Sequence, residues 1–288
     1  MLKEDFYLLG HGEAESRRLL EQTELLVPEA ERFVDRLKVT RGARVVDLGC
    51  GPRGLLDILA ARVGIQGQVI GVERNAVFAE AARRLIAAER IANVEIVEAD
   101  AKASGLPSGA FDLVTARLVL VNVPEPERIV AEMAGLVRPG GIVASYEADF
   151  GVLLCDPPSQ AWDRSLEIYA AYAETHGVDL FIGRKTHRLL RDVGLVEIEV
   201  SPIVNIYPPG HARRTILLDF VTNCSDALIH EKFADESELN DLIAALRYDL
   251  ADPGRLVTSH LFYETIGRKP LETSTASVSE NYVSAGAL

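Results

Sequence analysis

Cysteine is sparse in this chain of 288 residues, with only Cys50, Cys155 and Cys224. Three thiols without paired spacing build neither a disulfide framework nor a zinc site, so the expectation is three reduced, buried thiols and no metal. Positive charge is also scarce: 30 Lys and Arg stand against 43 Asp and Glu, a formal net charge of −13. No run of basic residues is dense enough to track a phosphate backbone, which disfavours DNA or RNA as a partner. Long apolar runs are missing too. The best stretch, 113–123, is interrupted by Arg117 and Asn122 and falls short of the ~20 residues that span a bilayer. The opening Met1-Leu2-Lys3-Glu4-Asp5 is acidic where a secretion signal is basic and then apolar. A cytoplasmic protein without a membrane span is the expectation. What remains is ordinary, at 48% hydrophobic and 25% charged residues, which suits one large α/β domain with modest additions.

The chain is organised around Ala43-Arg44-Val45-Val46-Asp47-Leu48-Gly49-Cys50-Gly51-Pro52-Arg53-Gly54. The β-branched pair Val45-Val46 suits a parallel strand buried on both faces. Gly49 and Gly51 permit a tight turn and let a ligand lie against the backbone. Pro52 fits the first position of a helix whose free N–H groups would then face that ligand. The spacing Gly49-x-Gly51-x-x-Gly54 matches the dinucleotide fingerprint, and Glu73 follows about 20 residues on, where a ribose-binding acid is expected. An NAD-dependent oxidoreductase is therefore one reading. Asp47 argues for another. A carboxylate just before the turn repels a pyrophosphate, whereas it favours an ammonium or a sulfonium.

From residue 43 to 148 strand and helix alternate, the pattern of a parallel sheet with right-handed crossovers. Strands are expected at 69–72, 94–97, 111–116 and 142–146, with helices at 76–92 and 124–137. Asp47, Glu73 and Asp100 each end a strand, which places them on one edge of the sheet, where open α/β sheets bind ligands.

Asp47-Leu48-Gly49-x-Gly51, then Glu73, then Asp100, with Arg138-Pro139-Gly140-Gly141 before the fifth strand, resembles the class I S-adenosylmethionine-dependent methyltransferases over roughly residues 43–150. The branch it is most similar to is the small-molecule one, of ubiquinone/menaquinone-like and bacterial secondary-metabolite type. The resemblance implies an α/β, Rossmann-like seven-stranded sheet in the order 3-2-1-4-5-7-6 with the last strand antiparallel. It also implies S-adenosyl-L-methionine as cofactor and S-adenosyl-L-homocysteine as product. In its terms Glu73 accepts both ribose hydroxyls and Arg74 flanks the adenine. Asp100 and the Ala101 N–H read the adenine edge. Asp47, Gly49, Cys50 and Gly51 adjoin the methionine end, and the Arg117 carbonyl takes the ammonium, leaving the Arg117 side chain free. The segment Tyr7-Leu8-Leu9-Gly10-His11, followed by Glu15-x-x-Arg18, resembles the N-terminal extension of a bacterial small-molecule branch. It implies Tyr7 and Arg18 as cofactor contacts, since a guanidinium clamps a carboxylate bidentately.

Four parts are expected: a helical cap at 1–40 broken at Pro28, a cofactor-binding core at 41–150, a remainder at 151–270, and a disordered tail at 271–288. The remainder carries roof helices at 158–193 and 211–251, a sixth strand at 196–204 and a last strand at 256–266. Glu147 and Asp149 end the fifth strand and are the candidate bases, with His11 and His176 as further candidates. His11, Tyr169 and His176 are the residues expected to face a small, partly hydrophobic acceptor. Whether O, N or C is methylated is open. No Asn/Asp-Pro-Pro-Tyr tetrad follows strand four, where Ala116-Arg117-Leu118-Val119 stands instead. A noncatalytic or atypical S-adenosylmethionine-binding protein is the second alternative, and a homodimer through the cap or the insertion is the expected assembly.

Overall fold

The computed structural model describes residue 16, residues 19–20 and residues 23–271. Tyr7, His11, Arg18 and the 272–288 tail lie outside the described residues. Nine strands are present among them: β1 (Arg44–Leu48), β2 (Gln68–Glu73), β3 (Val94–Glu98), β4 (Phe111–Arg117), β5 (Val137–Asp149), β6 (Cys155–Asp156), β7 (Val196–Ile203), β8 (Leu256–Val257) and β9 (Leu261–Arg268). Seven form one sheet in the order β3-β2-β1-β4-β5-β9-β7. Counted by those seven alone, this is the expected order 3-2-1-4-5-7-6. Strands β1 to β5 run parallel, and β9 is antiparallel to both β5 and β7.

The central strands are apolar because both of their faces are covered. Val45, Val46, Leu48, Val69, Val72, Val114 and Ala116 are fully buried. The helices that cover them are α1 (Val27–Arg36), α2 (Leu56–Val63), α3 (Ala76–Ala88) and α4 (Pro126–Leu136). Pro28 sits in the first turn of α1, where no intrahelical N–H is needed. Buried Phe33 of that helix meets Tyr146 of β5 edge-on at 5.7 Å. Helix α3 opens on Asn75, whose side-chain oxygen accepts from the Val77 and Phe78 amides at 2.9 and 3.2 Å. It stops at Ala88, four residues sooner than expected, and Arg90 turns left-handed at φ 56°.

Beyond β5 come α5 (Gln160–Thr175), α6 (Thr186–Asp192), α7 (Ile216–Asn223), α8 (Ser225–His230) and α9 (Glu236–Ala251). The last three make up most of the expected helical insertion. Arg214, buried at its base, donates to the carbonyls of Tyr207, Leu250, Asp252 and Arg255 at 2.6–3.0 Å. Four charge-assisted bonds from one guanidinium tie the insertion to the segments flanking it. No helix among the described residues is long and apolar enough to cross a membrane.

Three expected boundaries are corrected. The Pro52 helix start is not there: residues 51–55 are turns, and α2 begins at Leu56. The expected strand at 256–266 is broken. Leu256–Val257 pairs with Cys155–Asp156 in a separate ladder, and β9 starts at Leu261. Thr258 sits at the break, where its hydroxyl donates to the Val152 carbonyl at 3.0 Å and accepts the Leu154 amide at 2.9 Å. The Arg138–Gly141 turn is drawn into β5, with a register shift against β4 between Phe111 and Leu113.

Candidate active site

A cavity of about 170 Å³ opens along the carboxyl ends of β1, β2, β4 and β5. Its first wall is the glycine loop. Gly49, Gly51 and Gly54 all adopt positive φ, at 66°, 58° and 54°. A Cβ on Gly49 would meet Val119 at 2.7 Å, and one on Gly54 would meet the Cys50 carbonyl and the Asp47 carboxylate at 2.5 and 2.6 Å. A Cβ on Gly51 meets nothing within 4 Å, because that residue faces the open cavity. Of the three, only Gly51 leaves room for a ligand against the backbone.

Asp47, almost fully buried, lies beneath the loop and holds it. Its Oδ2 accepts the Leu55 amide at 3.1 Å and its Oδ1 accepts the Thr115 hydroxyl at 2.8 Å. Burial raises its carboxyl above the usual range, while Leu55, Thr115 and the nearby Arg117 pull it back. The N–H groups expected to face a ligand are committed inward, Leu55 to Asp47 and Leu56 to the Arg53 carbonyl at 3.1 Å. The Arg117 side chain, expected to be free, donates to the Gly54 carbonyl at 3.1 Å. Cys50 is a neutral thiol, raised well above its ordinary pKa by burial and by the charges of Asp47 and Glu73.

Glu73 ends β2 and is buried in the second wall. Its Oε2 accepts the Gly51 amide at 3.0 Å and its Oε1 the Asn75 amide at 2.7 Å. The Arg74 amide also bonds this carboxylate, so of its about four lone-pair sites at least one stays open to a ligand. Asp100 is exposed at the rim, where its Oδ1 accepts the Lys102 amide at 2.8 Å. Arg74, Ala101 and Lys102 line the same end of the cavity. Two acids with spare acceptors, a glycine open to solvent and the apolar Phe78 and Val121 fit a nucleoside with vicinal hydroxyls and an exocyclic amine.

Of the expected bases, Glu147, Asp149 and His176 do not line this cavity. Glu147, fully buried, accepts the Val119 and Leu120 amides at Oε1, both at 3.1 Å, and the Val121 amide at Oε2 at 3.2 Å. It braces the turn after β4. Asp149, also fully buried, is gripped by Arg184 through Nε at 2.6 Å and Nη2 at 2.5 Å, with Gly151 N at 2.9 Å. Because the Arg184 side chain is 47% exposed, Arg184→Met should cost a screened fraction of a buried pair, about 2 kcal/mol. Urea unfolding would measure it. His176 points elsewhere too, bonding Glu231 at 2.9 Å between α5 and α8.

Tyr169 does line the cavity, stacked on Phe220 at 4.0 Å and set edge-on to Phe150 at 4.9 Å. Two residues that sequence reasoning missed join it, Arg213 and His260. Both sit where the chain was read as continuous helix or strand, so nothing in the local pattern marked them.

Residues 46–145 match the family model described as a methyltransferase domain. A demethylmenaquinone methyltransferase of Geobacillus kaustophilus is 26% identical over 194 residues, covering 60% of this chain and 79% of that protein. Aklanonic acid methyltransferase DauC of a Streptomyces species is 31% identical over 121 residues, 42% of this chain and 55% of that protein. The geranyl diphosphate C-methyltransferase of Streptomyces coelicolor superposes with a TM-score of 0.55 at 16% identity, covering 93% of this chain and 92% of that one, a likeness of fold. The chain spans about half the length of two curated relatives that it matches at 31–32% identity.

Proposed function

Carrying as it does a methyltransferase domain over residues 46–145, this chain is, we propose, an S-adenosylmethionine-dependent methyltransferase acting on a small, partly hydrophobic metabolite. The demethylmenaquinone and aklanonic acid enzymes named above support a role in the methylation of quinone-like or secondary metabolites. The observation that carries the reading is the buried Glu73 carboxylate at the end of β2, anchored by backbone amides and still lining the cavity with acceptor capacity to spare. The oxidoreductase reading loses support at the glycine loop, because the Leu55 and Leu56 amides at the helix start are committed to Asp47 and to the Arg53 carbonyl.

S-adenosylmethionine, when bound, would supply a methyl group that the acceptor atom takes in line from the sulfonium, with the neutral thioether as leaving group. The residues of this chain would bind and orient. Glu73 and Asp100 would hold sugar and base, while Asp47 contributes a negative potential favouring the cation over its neutral product. Val119, Phe150 and Tyr169 line the remainder and keep water out, which suits a reaction whose charge disperses in the transition state.

Glu73→Ala should weaken S-adenosylhomocysteine binding by about 1–3 kcal/mol, the effect of leaving buried hydroxyls and the Gly51 amide unpaired. Isothermal calorimetry on the full chain checks this, with NAD as the comparison ligand. Unchanged affinity in the variant, or tighter binding of NAD by the wild type, would remove Glu73 from the role and overturn the reading.

A further inference from the structure

Two neighbouring arginines at the base of the insertion face opposite fates. Arg214 spends its guanidinium on four backbone carbonyls. Arg213 is 6% exposed, lines the cavity, and makes no ion pair among the described residues. Its Nε has no hydrogen-bond partner, and its guanidinium lies over the face of the Phe262 ring at 5.7 Å. A buried guanidinium without an anion is costly, and the cost is retained where a ligand relieves it.

His260 stands beside it, 3% exposed and lining the same cavity, and neither ring nitrogen has a partner. Its ring is held edge-on to Phe150 at 4.2 Å and tilted against Phe262 at 5.7 Å, so packing fixes it. Burial and the charge of Arg213 keep the imidazole neutral, far below its ordinary pKa. A neutral imidazole offers one donor and one acceptor. The adjoining wall is apolar and aromatic: Phe150, Tyr169 and Ile216. Two other cations at the cavity are committed, Arg117 to the Gly54 carbonyl and Lys102 to Glu125 at 3.0 Å.

We infer that Arg213 and His260 form an anion-recognising end of the acceptor pocket, and that the acceptor is a small aromatic or conjugated molecule carrying one ionised oxygen, a ring carboxylate or an acidic enol. Arg213 takes the charge and His260 donates the second hydrogen bond. One unpaired guanidinium balances one negative charge, which favours a monoanion over a diphosphate. The inference rests on the methyltransferase reading and deepens it. The rival occupant for Arg213 is the methionine carboxylate of the cofactor.

Calorimetry on the full chain separates these. Wild type and Arg213→Met are first titrated with S-adenosylhomocysteine, then, at saturation, with 2-naphthoate, its neutral amide, 2-naphthol and geranyl diphosphate. We expect the wild type to bind 2-naphthoate about tenfold or more tighter than the amide, as a charge-assisted hydrogen bond allows, and Arg213→Met to erase that preference. S-adenosylhomocysteine affinity should stay within about threefold, and the thermal midpoint of Arg213→Met should equal or exceed wild type, since the variant removes an unpaired charge. Arg213→Lys should keep part of the preference. A tenfold loss of S-adenosylhomocysteine affinity in Arg213→Met would assign the residue to the cofactor and overturn the inference. So would a lowered midpoint, absent or equal binding of naphthoate and amide to the wild type, or tighter binding of the diphosphate. Failure of the wild type to bind S-adenosylhomocysteine would instead sink the methyltransferase reading itself.

Discussion

Glu147→Leu should destabilise the protein by about 3 kcal/mol or more, because three buried amides lose their acceptor at once and each unpaired N–H costs at least about 1 kcal/mol. The side chain is fully buried, and the Val119, Leu120 and Val121 amides all converge on it. Those residues form the turn that carries the cavity wall from Leu118 to Val123, so a loosened turn should also weaken cofactor binding. Glu147→Gln keeps one carbonyl acceptor and should lose roughly half as much. Its value lies in a pH series. Burial pushes the Glu147 carboxyl from 4.5 to about 8, against the pull of the three amides. A folded-state pKa above the unfolded one means that the folded protein holds its proton longer. Glu147 therefore contributes stability that is complete below about pH 4.5 and is lost as pH rises towards 8. Unfolding free energies from urea titrations at successive pH values should fall across that window, with one proton contributing at most about 1.4 kcal/mol per pH unit. The glutamine variant should lack that component. Should Glu147→Leu instead abolish methyl transfer at unchanged stability, the residue is a base after all.

Glu147 and Asp149 are expected as bases and are held in hydrogen bonds that brace their neighbours, and the difference says what a sequence reveals. Strand position was legible: both do end β5 on the ligand-binding edge, as the alternation of Ile142 to Tyr146 required. The direction of each side chain was not. Which neighbour a carboxylate serves depends on segments far along the chain, here Val119–Val121 and Arg184. The same holds for His176, drawn to Glu231 across 55 residues. The sheet order, the glycine loop and the rim acids Glu73 and Asp100 were readable because each follows from local chemistry, β-branched strands, forced positive φ and strand ends. Pro52 misled for a local reason of its own. Proline suits a first helical turn, but Gly51 and Gly54 in left-handed conformation keep the chain turning until Leu56. Arg213 and His260 became visible only when the insertion and β9 met over the cavity, since neither belongs to a motif.

Asp47 divides bracing from binding more sharply than any other residue at the rim. Asp47→Ala should destabilise the fold by about 3 kcal/mol: the Leu55 amide loses its partner, and the partly buried Arg117 loses its nearest anion. With the loop unpinned, S-adenosylhomocysteine affinity should fall by one to two orders of magnitude, about 1.4–2.8 kcal/mol. Asp47→Asn tests something the alanine variant obscures. The amide oxygen can still accept from Leu55, and the Thr115 hydroxyl, which also bonds the Val46 carbonyl at 3.2 Å, can rotate to suit an NH₂ group. The loop should therefore survive with a loss of about 1 kcal/mol, while its negative charge is gone. S-adenosylmethionine and S-adenosylhomocysteine differ by one positive charge at sulfur, so their affinity ratio reads the local potential. In the wild type the carboxylate lies buried beneath the loop, where screening by salt is weak. Asp47→Asn should shift the ratio towards the neutral product with little change in the S-adenosylhomocysteine affinity itself, both measured by calorimetry. An unchanged ratio would make Asp47 a structural pin alone, and the selectivity for a cation would then rest on Glu73 and Asp100.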